Sequence, residues 1–250
     1  MHWIYLSPHL DDAVLSCGGM IWEQARRGNQ VEIWTICAGD PPADRPLTPL
    51  AQELHARWGV GVEASAIRRA EDELACWRVG ASFGHFDYLD CIYRRLPDSD
   101  EPVIQRNEDL FAPLHPGEAY LVKSLAELLD ALAPVDVRLV SPLALGGHRD
   151  HRMLRQAAEG LGRPLWYYAD YPYAAQAGNA PDGETRAGLR PFTLPLSWRG
   201  VVNWQKAVCA YRSQISTFWQ GEAAMISAVG QYARSNGARL YTRTSAGESD

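Results

Sequence analysis

The first forty residues constrain the fold most, because two short apolar runs lie on either side of one helical pattern. Residues 3–6 end in a Ser-Pro pair, which is typical of a buried strand that stops where the backbone turns. Residues 11–27 carry apolar side chains at helical spacing and end at Gly28, a common C-cap. Residues 31–37 predict a second strand. This order predicts a βαβ unit, and therefore a parallel sheet with a right-handed crossover.

The rest of the chain repeats this alternation. Helices are predicted over residues 63–79, 121–132, 148–161 and 201–218, and strands over residues 137–141 and 165–168. The apolar stripes of these helices are expected to face the core, including one made by Ile67, Ala70, Leu74 and Trp77, and two that carry Trp22 and Trp204. We therefore predict one Rossmann-like, doubly wound α/β domain over residues 1–250, with a mostly parallel sheet. Long loops are expected near residues 38–50, 94–118 and 170–200.

The charge of the chain disfavours a nucleic-acid partner. There are 24 Lys and Arg residues against 30 Asp and Glu residues, which gives a formal net charge of −6. No run of basic residues is longer than a pair such as Arg26-Arg27 or Arg68-Arg69. A polyanion partner would need a concentrated basic surface.

Cysteine usage and the amino terminus predict a cytoplasmic protein. The five cysteines occur singly, which is typical of buried intracellular thiols rather than of a disulfide framework. The first residues lack a basic segment, and their apolar run is too short for a signal peptide or a membrane span. The sequence leaves a homo-oligomer open.

A polar segment, Pro8-His9-Leu10-Asp11-Asp12, lies where the first predicted strand ends and the first predicted helix begins. Open α/β sheets bind ligands at the carboxyl ends of their strands. His9 and Asp12 are three residues apart across the turn, so both can point at one ion, and both residue types are zinc ligands. The alternative is that Asp11 or Asp12 only caps the helix, which would leave the other carboxylate and His9 unexplained.

A second polar segment, Gly147-His148-Arg149-Asp150-His151, also follows a predicted strand and opens a helix. Two histidines three residues apart are, by themselves, more often surface or core residues than metal ligands. However, two turns of one sheet that both carry histidine and aspartate can converge. The two segments together favour a metal site.

In combination, these segments resemble the PIG-L/LmbE family of zinc-dependent de-N-acetylases. That family has Pro-His-x-Asp-Asp after an amino-terminal strand and a histidine-rich segment after a later one. Residues 68–80 are similar to the family's helix that ends in Leu-Gly, and residues 206–214 resemble its Lys…Ser-Gln helix. The resemblance spans about residues 3–215. Ala13 replaces a common Glu and Leu10 replaces a frequent Pro, which loosens the assignment of subfamily and substrate.

The resemblance implies a hydrolase that removes an N-acetyl or related N-acyl group from an amino sugar or small amide with a zinc-bound water. The implied metal ligands are His9, Asp12 and His151. The implied general base is Asp11. A protonated His148 would stabilise the oxyanion or act as general acid, and Asp150 would orient or tune a histidine. Zinc is the implied cofactor, and the implied partner is a small N-acylated amino-sugar-like molecule.

Two further residues are candidate substrate contacts. The resemblance suggests that Arg68 reaches polar groups of the substrate, whereas an ion pair with Glu71 one turn later is the alternative. Asp90 is a candidate ligand for a sugar hydroxyl or, equally, a cap for the loop that follows. Aromatic residues around the end of the strand predicted over residues 165–168 are candidate substrate walls: Trp166, Tyr168, Tyr171 and Tyr173.

Three other functions compete with this interpretation. An amidase or deacylase of a thiol conjugate or natural product would use the same residues. A non-catalytic metal- or sugar-binding module would need ligands but no base, so the presence of Asp11 favours an enzyme. A dinucleotide-binding domain would need glycines at the strand-to-helix turn, whereas Gly18-Gly19 lies inside the predicted helix.

Overall fold

A seven-stranded sheet forms the centre of the computed structural model, which describes residues 1–61, 63–176, 188–235 and 239–243. In sheet order the strands are β3 (Ser82–His85), β2 (Gln30–Thr35), β1 (His2–Ser7), β4 (Arg138–Pro142), β5 (Trp166–Tyr168), β7 (Arg239–Arg243) and β6 (Leu189–Thr193). The first five run parallel, and β7 is antiparallel to both of its neighbours. The βαβ unit predicted at the amino terminus is confirmed, since β1 pairs in parallel with β2.

The helices lie in two groups around this sheet. They are α1 (Asp12–Arg26), α2 (Pro49–Trp58), α3 (Ala64–Val79), α4 (Ala119–Leu132), α5 (Arg149–Glu159), α6 (Trp198–Val208), α7 (Arg212–Phe218) and α8 (Glu222–Ser235). Helices α1, α3 and α6 contact one another, and α4 contacts α5. Right-handed crossovers place α1 and α3 on one face and α4 and α5 on the other, because the strand order runs in opposite directions from β1 and from β4. The doubly wound α/β architecture is confirmed. Within the described residues, no helix combines the length and the apolar character that a membrane span requires.

The strand order reverses between β1 and β4. The chain moves outward from β1 to β2 and β3, and then returns to β4 on the other side of β1. Loops that leave β1 and β4 therefore diverge and open a crevice at the carboxyl ends of the strands. These two loops are the polar segments that the sequence singled out.

Helix α3 faces the opposite way from the sequence prediction. Its apolar stripe is exposed: Ile67 by 38%, Leu74 by 42%, Trp77 by 76%, and Ala70 with them. The inward face carries Arg68 and Asp72 instead, both of which are buried. Asp72 accepts hydrogen bonds from Thr35 and Tyr211, so the polar side chains of this helix have partners inside the protein. Periodicity located a stripe, but it could not tell which side would face the core.

Other segments also depart from the prediction. Residues 201–218 form most of α6 and all of α7 rather than one helix. The two helices are separated by residues 209–211, where the Tyr211 hydroxyl donates to Asp72. Residues 94–118 are irregular except for short 3-10 helices, as expected, whereas residues 170–200 also contain β6 and the start of α6. Part of that last loop, residues 177–187, lies outside the described residues. All five cysteines are free thiols.

The pair Gly18-Gly19 allows α6 to pack closely on α1. The indole of Trp204 is fully buried against these glycines and donates its Nε1–H to the carbonyl oxygen of Val14 at 2.7 Å. A Cβ at Gly18 would overlap that indole, and one at Gly19 would lie 2.9 Å from it. Trp204 is thus a core residue, as predicted, whereas Trp22 is only partly buried.

We predict that Gly18→Ala lowers the free energy of unfolding by about 1–3 kcal/mol, because overpacking against Trp204 outweighs the gain of about 1 kcal/mol in helix propensity. Urea denaturation measures this change. Gly230→Ala in α8 is the matched control, because its Cβ would meet the ends of two flexible side chains, Gln205 at 3.1 Å and Arg234 at 3.8 Å. A Gly18→Ala protein as stable as the control would show that the indole can shift without cost.

Candidate metal centre and active site

The turn after β1 is held by Ser7, which leaves both aspartates of the first segment available. The Ser7 hydroxyl donates to the carbonyl oxygen of His9 at 2.7 Å and accepts the Ala13 N–H at 3.0 Å. Ser7 therefore satisfies an amide in the first turn of α1, the task of a capping side chain. Neither Asp11 nor Asp12 makes such a bond to this helix end, so capping does not explain them.

One carboxylate oxygen of Asp12 lies between two histidines. Asp12 Oδ2 is 3.2 Å from His9 Nδ1 and 3.3 Å from His151 Nε2, and it also accepts the His9 N–H at 2.9 Å. All three side chains are buried. The turns after β1 and β4 thus bring together the three residues predicted as metal ligands.

The turn after β4 depends on glycine. Gly146 and Gly147 have φ angles of 77° and 76°, in the left-handed region that other residues rarely adopt. A Cβ at Gly146 would also lie 2.7 Å from Tyr173. This turn lets α5 begin at Arg149, and one helical turn then points His151 at Asp12.

Each of the two histidines beside Asp12 has a second carboxylate on its far ring nitrogen. His9 Nε2 is 3.0 Å from Asp150 Oδ2, and His151 Nδ1 is 2.6 Å from Asp170 Oδ1. Carboxylates in this position fix the orientation and basicity of metal-binding histidines. The expectation that Asp150 orients a histidine agrees with this contact, but sequence reasoning missed Asp170. The position of Asp170 just after β5 could have identified it as a site residue, since the other polar segments of the site also follow strands.

The donor set fits a tetrahedral divalent ion. Metal-to-donor distances of about 2.0–2.2 Å correspond to donor separations of roughly 3.3–3.6 Å, close to the two measured here. Ring nitrogens of His9, His148 and His151 also lie within 4.8 Å of one another, so His148 stands at the edge of the same centre. Cys37 and Cys91 lie nearby, but burial raises the pKa of both thiols and keeps them protonated.

The carboxylates around the histidines favour bound protons when no metal is present. Although burial alone would lower it, Asp90, Asp12 and Asp150 raise the pKa of His9 well above its usual range. Burial likewise opposes protonation of His151, but Asp12 and Asp170 raise its pKa to about 10. Against the effect of burial, the same histidines hold the pKa of Asp12 well below its usual range. The site is therefore built to hold positive charge.

Asp11 stands beside this centre with its carboxylate free of hydrogen bonds to the described residues. The nearest cationic atom is Arg68 Nη2, 3.9 Å from Asp11 Oδ2. Burial, and then the charge of Asp12, raise the pKa of Asp11 to about 7. A carboxylate in this position can accept and return a proton near neutral pH.

The surroundings of His148 favour a neutral imidazole, whereas the resemblance implied a protonated one. Its Nδ1 accepts the Asp150 N–H at 3.3 Å and so caps α5. An acceptor nitrogen carries no proton, so the ring presents an Nε2–H to the site. Burial, together with His9 and His151 nearby, holds the pKa of His148 well below its usual range.

Arg68 and Asp90 lie next to each other on the side of the site where Asp11 stands. The Arg68 Nη1 and Asp90 Oδ2 atoms are 3.9 Å apart, and the guanidinium lies over the ring of Trp58, 4.7 Å from its centroid. None of its N–H groups makes a hydrogen bond to the described residues, although the side chain is buried. Asp90 Oδ1 caps the loop through the Ile92 N–H at 3.1 Å, while Oδ2 remains directed at the site.

These residues line a cavity of about 300 Å³. The residues of the site that line it are His9, Asp11, Asp12, Arg68, Asp90, His148 and His151. Of the four aromatic wall candidates, only Tyr173 lines it. Tyr168 and Tyr171 are buried in the core, and Trp166 packs on Trp3 and Phe192.

A buried ion-pair network that sequence reasoning missed supports Asp150. Arg94 Nη2 lies 2.5 Å from Asp150 Oδ1, and Arg94 Nε donates to Glu118 at 2.9 Å. Glu118 in turn pairs with Arg149 at 2.6 Å. Arg94 and Glu118 lie in the irregular segment 94–118, where no sequence pattern marks them. Their pairing could therefore be seen only in the tertiary structure.

Glu71 links residues 68–80 to residues 206–214, the two segments that resemble family helices. Instead of pairing with Arg68, it accepts hydrogen bonds from the Ser213 N–H at 3.0 Å and the Ser213 hydroxyl at 2.6 Å. Ser213 is in the first turn of α7, so α3 anchors this helix. The anchored helix places Gln214 and Phe218 in the cavity wall.

Comparisons with known proteins agree with this geometry. Residues 4–161 match the family model described as PIG-L, GlcNAc-PI de-N-acetylase. A 2'-N-acetylparomamine deacetylase from Niallia circulans is 25% identical over 236 residues, which cover 88% of this chain and 83% of that protein.

Two solved structures extend the comparison. A zinc-inhibited form of the teicoplanin deacetylase Orf2 has a TM-score of 0.82 and 27% sequence identity, with 100% of both chains covered. The A40926 pseudoaglycone deacetylase Dbv21 has a TM-score of 0.71 and 28% identity, with 96% of this chain and 94% of that one covered. The chain belongs to the PIG-L, GlcNAc-PI de-N-acetylase, family.

Proposed function

We propose that this protein is a zinc-dependent N-deacetylase that hydrolyses the acetamide of an N-acetylated amino sugar in a small molecule. The observation that carries the proposal is the convergence of His9, Asp12 and His151, with the free carboxylate of Asp11 beside them. Amino-sugar deacetylases among the relatives support the same reaction.

His9, Asp12 and His151 would hold the ion. A divalent ion at this centre supplies a water molecule whose pKa is near neutrality and a Lewis acid for the amide carbonyl. Nitrogen and carboxylate donors at tetrahedral spacing favour zinc. A metal- or sugar-binding module would need no base, whereas Asp11 has no role in holding the ion or in the fold that we can identify.

Asp11 would carry the proton through the reaction. Its carboxylate takes a proton from the attacking water, the new C–O bond forms at the acetyl carbon, and the carbonyl oxygen gains negative charge. The Nε2–H of His148 donates a hydrogen bond to this oxyanion. Asp11 then gives the proton to the leaving nitrogen as the carbonyl re-forms and the C–N bond breaks. Acetic acid and a free amine result, and the acid ionises to acetate by transferring its proton to the amine or to solvent.

The hydrogen bond of His148 supports Asp11 as the proton donor of the two candidates. Because Nδ1 accepts the Asp150 N–H, loss of the Nε2 proton would leave an imidazolate, which is inaccessible near neutral pH. Asp11, with a pKa of about 7, can exchange a proton in both directions. Arg68 and Asp90 would bind hydroxyl or carbonyl groups of the sugar, since the Arg68 N–H groups have no hydrogen-bond partner among the described residues.

The test of this function is acetate release from a panel of N-acetylated sugars, before and after chelation. We expect acetate release that a chelator abolishes and zinc restores. Asp11→Asn should keep about one zinc per chain but lower kcat at least ~100-fold, the usual contribution of a general base. Asp130→Asn, an exposed substitution of the same type on α4, is the control. Loss of zinc in Asp11→Asn would instead make Asp11 a ligand.

A second prediction concerns Asp170, which contacts the metal centre only through His151. We expect Asp170→Asn to weaken zinc affinity roughly 10–100-fold, the usual cost of losing a carboxylate behind a ligating histidine. Competition with a chromophoric chelator measures this affinity. Unchanged affinity would show that His151 holds its orientation without Asp170.

A third prediction concerns the pH dependence of metal binding. The carboxylates raise the pKa of His9 above its usual range and that of His151 to about 10, so an incoming ion must displace protons from both rings. Zinc affinity should therefore rise with pH between about 6 and 9, by up to roughly a hundredfold per unit for two protons. Calorimetry in buffers of different ionisation enthalpy counts the released protons. A pH-independent affinity would mean that both rings are neutral before the ion binds.

A further inference from the structure

The cavity continues beyond the reaction centre into a region with apolar walls. Four separate segments contribute to this outer region, namely α2, the 3-10 helices Cys91–Tyr93 and Asn107–Phe111, and α7. Its apolar side chains are Leu54, Trp58, Ile92, Leu110, Phe111 and Phe218, and Arg57, Asn107, Gln214 and Thr217 on the same segments also line the cavity. A sugar ring needs mainly polar partners, so walls in which apolar side chains predominate suit another part of the substrate.

The outer region begins directly at the reaction centre. The ring centroids of Phe111 and His148 are 5.9 Å apart, and Trp58 stacks on Arg68. Phe111 is still 41% exposed, so the apolar surface runs from the catalytic groups to the mouth of the cavity. A group attached to the amino sugar would therefore meet these side chains as it leaves the site.

The charges of the cavity are unsuited to a polycationic group. Among the described lining residues the acidic ones are Asp11, Asp12 and Asp90, and all three lie at the reaction centre. The lining cation of the outer region, Arg57, is 2.8 Å from Glu53 on its own helix, so its charge is already paired. An amine in this region would lose water and gain no carboxylate.

We infer that the amino sugar carries an apolar, preferentially aromatic, aglycone that packs in the outer region, an inference that rests on the proposed function. The aliphatic side chains of Leu54, Ile92 and Leu110 provide apolar contact area for such a group, and the rings of Trp58, Phe111 and Phe218 suit aromatic stacking. The specificity for the aglycone thus comes from α2, α7 and the segment 107–111 rather than from the metal centre.

The test compares three β-glycosides of N-acetylglucosamine on the zinc-loaded full chain: methyl, 2-aminoethyl and 2-naphthyl. We expect kcat/KM for the naphthyl glycoside to exceed that for the methyl glycoside at least tenfold, mainly through KM, and no gain for the aminoethyl glycoside. Leu110→Ala and Phe218→Ala should each lower the naphthyl-to-methyl ratio at least threefold. Trp198→Ala, which removes a 77% exposed ring outside the cavity, should preserve it.

Binding of the same glycosides to the zinc-loaded Asp11→Asn protein, measured by calorimetry, separates this inference from the catalytic proposal. Tighter binding of the naphthyl glycoside to this variant, combined with no acetate release by the zinc-loaded protein that retains Asp11, would support the aglycone inference and contradict the proposed reaction. Equal binding of all three, or no binding, would overturn the inference. It would also be overturned if an N-hexanoyl methyl glycoside were preferred to the N-acetyl naphthyl glycoside, because the apolar walls would then hold the acyl chain.

Discussion

The shared position of Asp12 between two histidines is the contact on which the rest of the site depends. Buried carboxylates and imidazoles are costly unless they have partners, and here the rings of His9 and His151 each have a carboxylate on both nitrogens. Asp12 contacts one ring nitrogen of His9 and one of His151, and Asp150 and Asp170 contact the other two. Farther from the centre, buried charges are neutralised by the ion pairs Arg94–Glu118 and Glu118–Arg149. The resulting centre favours a cation, which is why a divalent ion fits it.

The helices around the centre present polar side chains to the site. Helix α3 turns Arg68 and Asp72 inward and leaves the apolar side chains of Leu74 and Trp77 exposed. Glu71 on the same helix anchors α7, which brings Phe218 to the cavity. One helix thus carries both the buried guanidinium of Arg68 and the anchor of a distant wall, while its small residues Ala75, Cys76 and Val79 pack in the core.

Capping and chemistry are divided between neighbouring residues. Ser7 accepts the amide of Ala13 at the start of α1, and this frees Asp11 and Asp12. At the start of α5 the cap is His148 itself, whose Nδ1 accepts the Asp150 N–H, so the ring can offer an Nε2–H to the cavity. Under the proposed mechanism, the proton is therefore carried by Asp11.

The sequence by itself determined the βαβ beginning, the doubly wound sheet and the two polar turns with His9, Asp12 and His151, because these follow from local periodicity and from the position of residues after strands. It did not determine which face of α3 would be buried, the partner of Glu71, or the role of Asp170. Those depend on contacts between residues far apart in the chain, such as Glu71 with Ser213 and His151 with Asp170. Only the tertiary structure decided them, since side-chain pairing across elements is set by packing and not by spacing along the sequence.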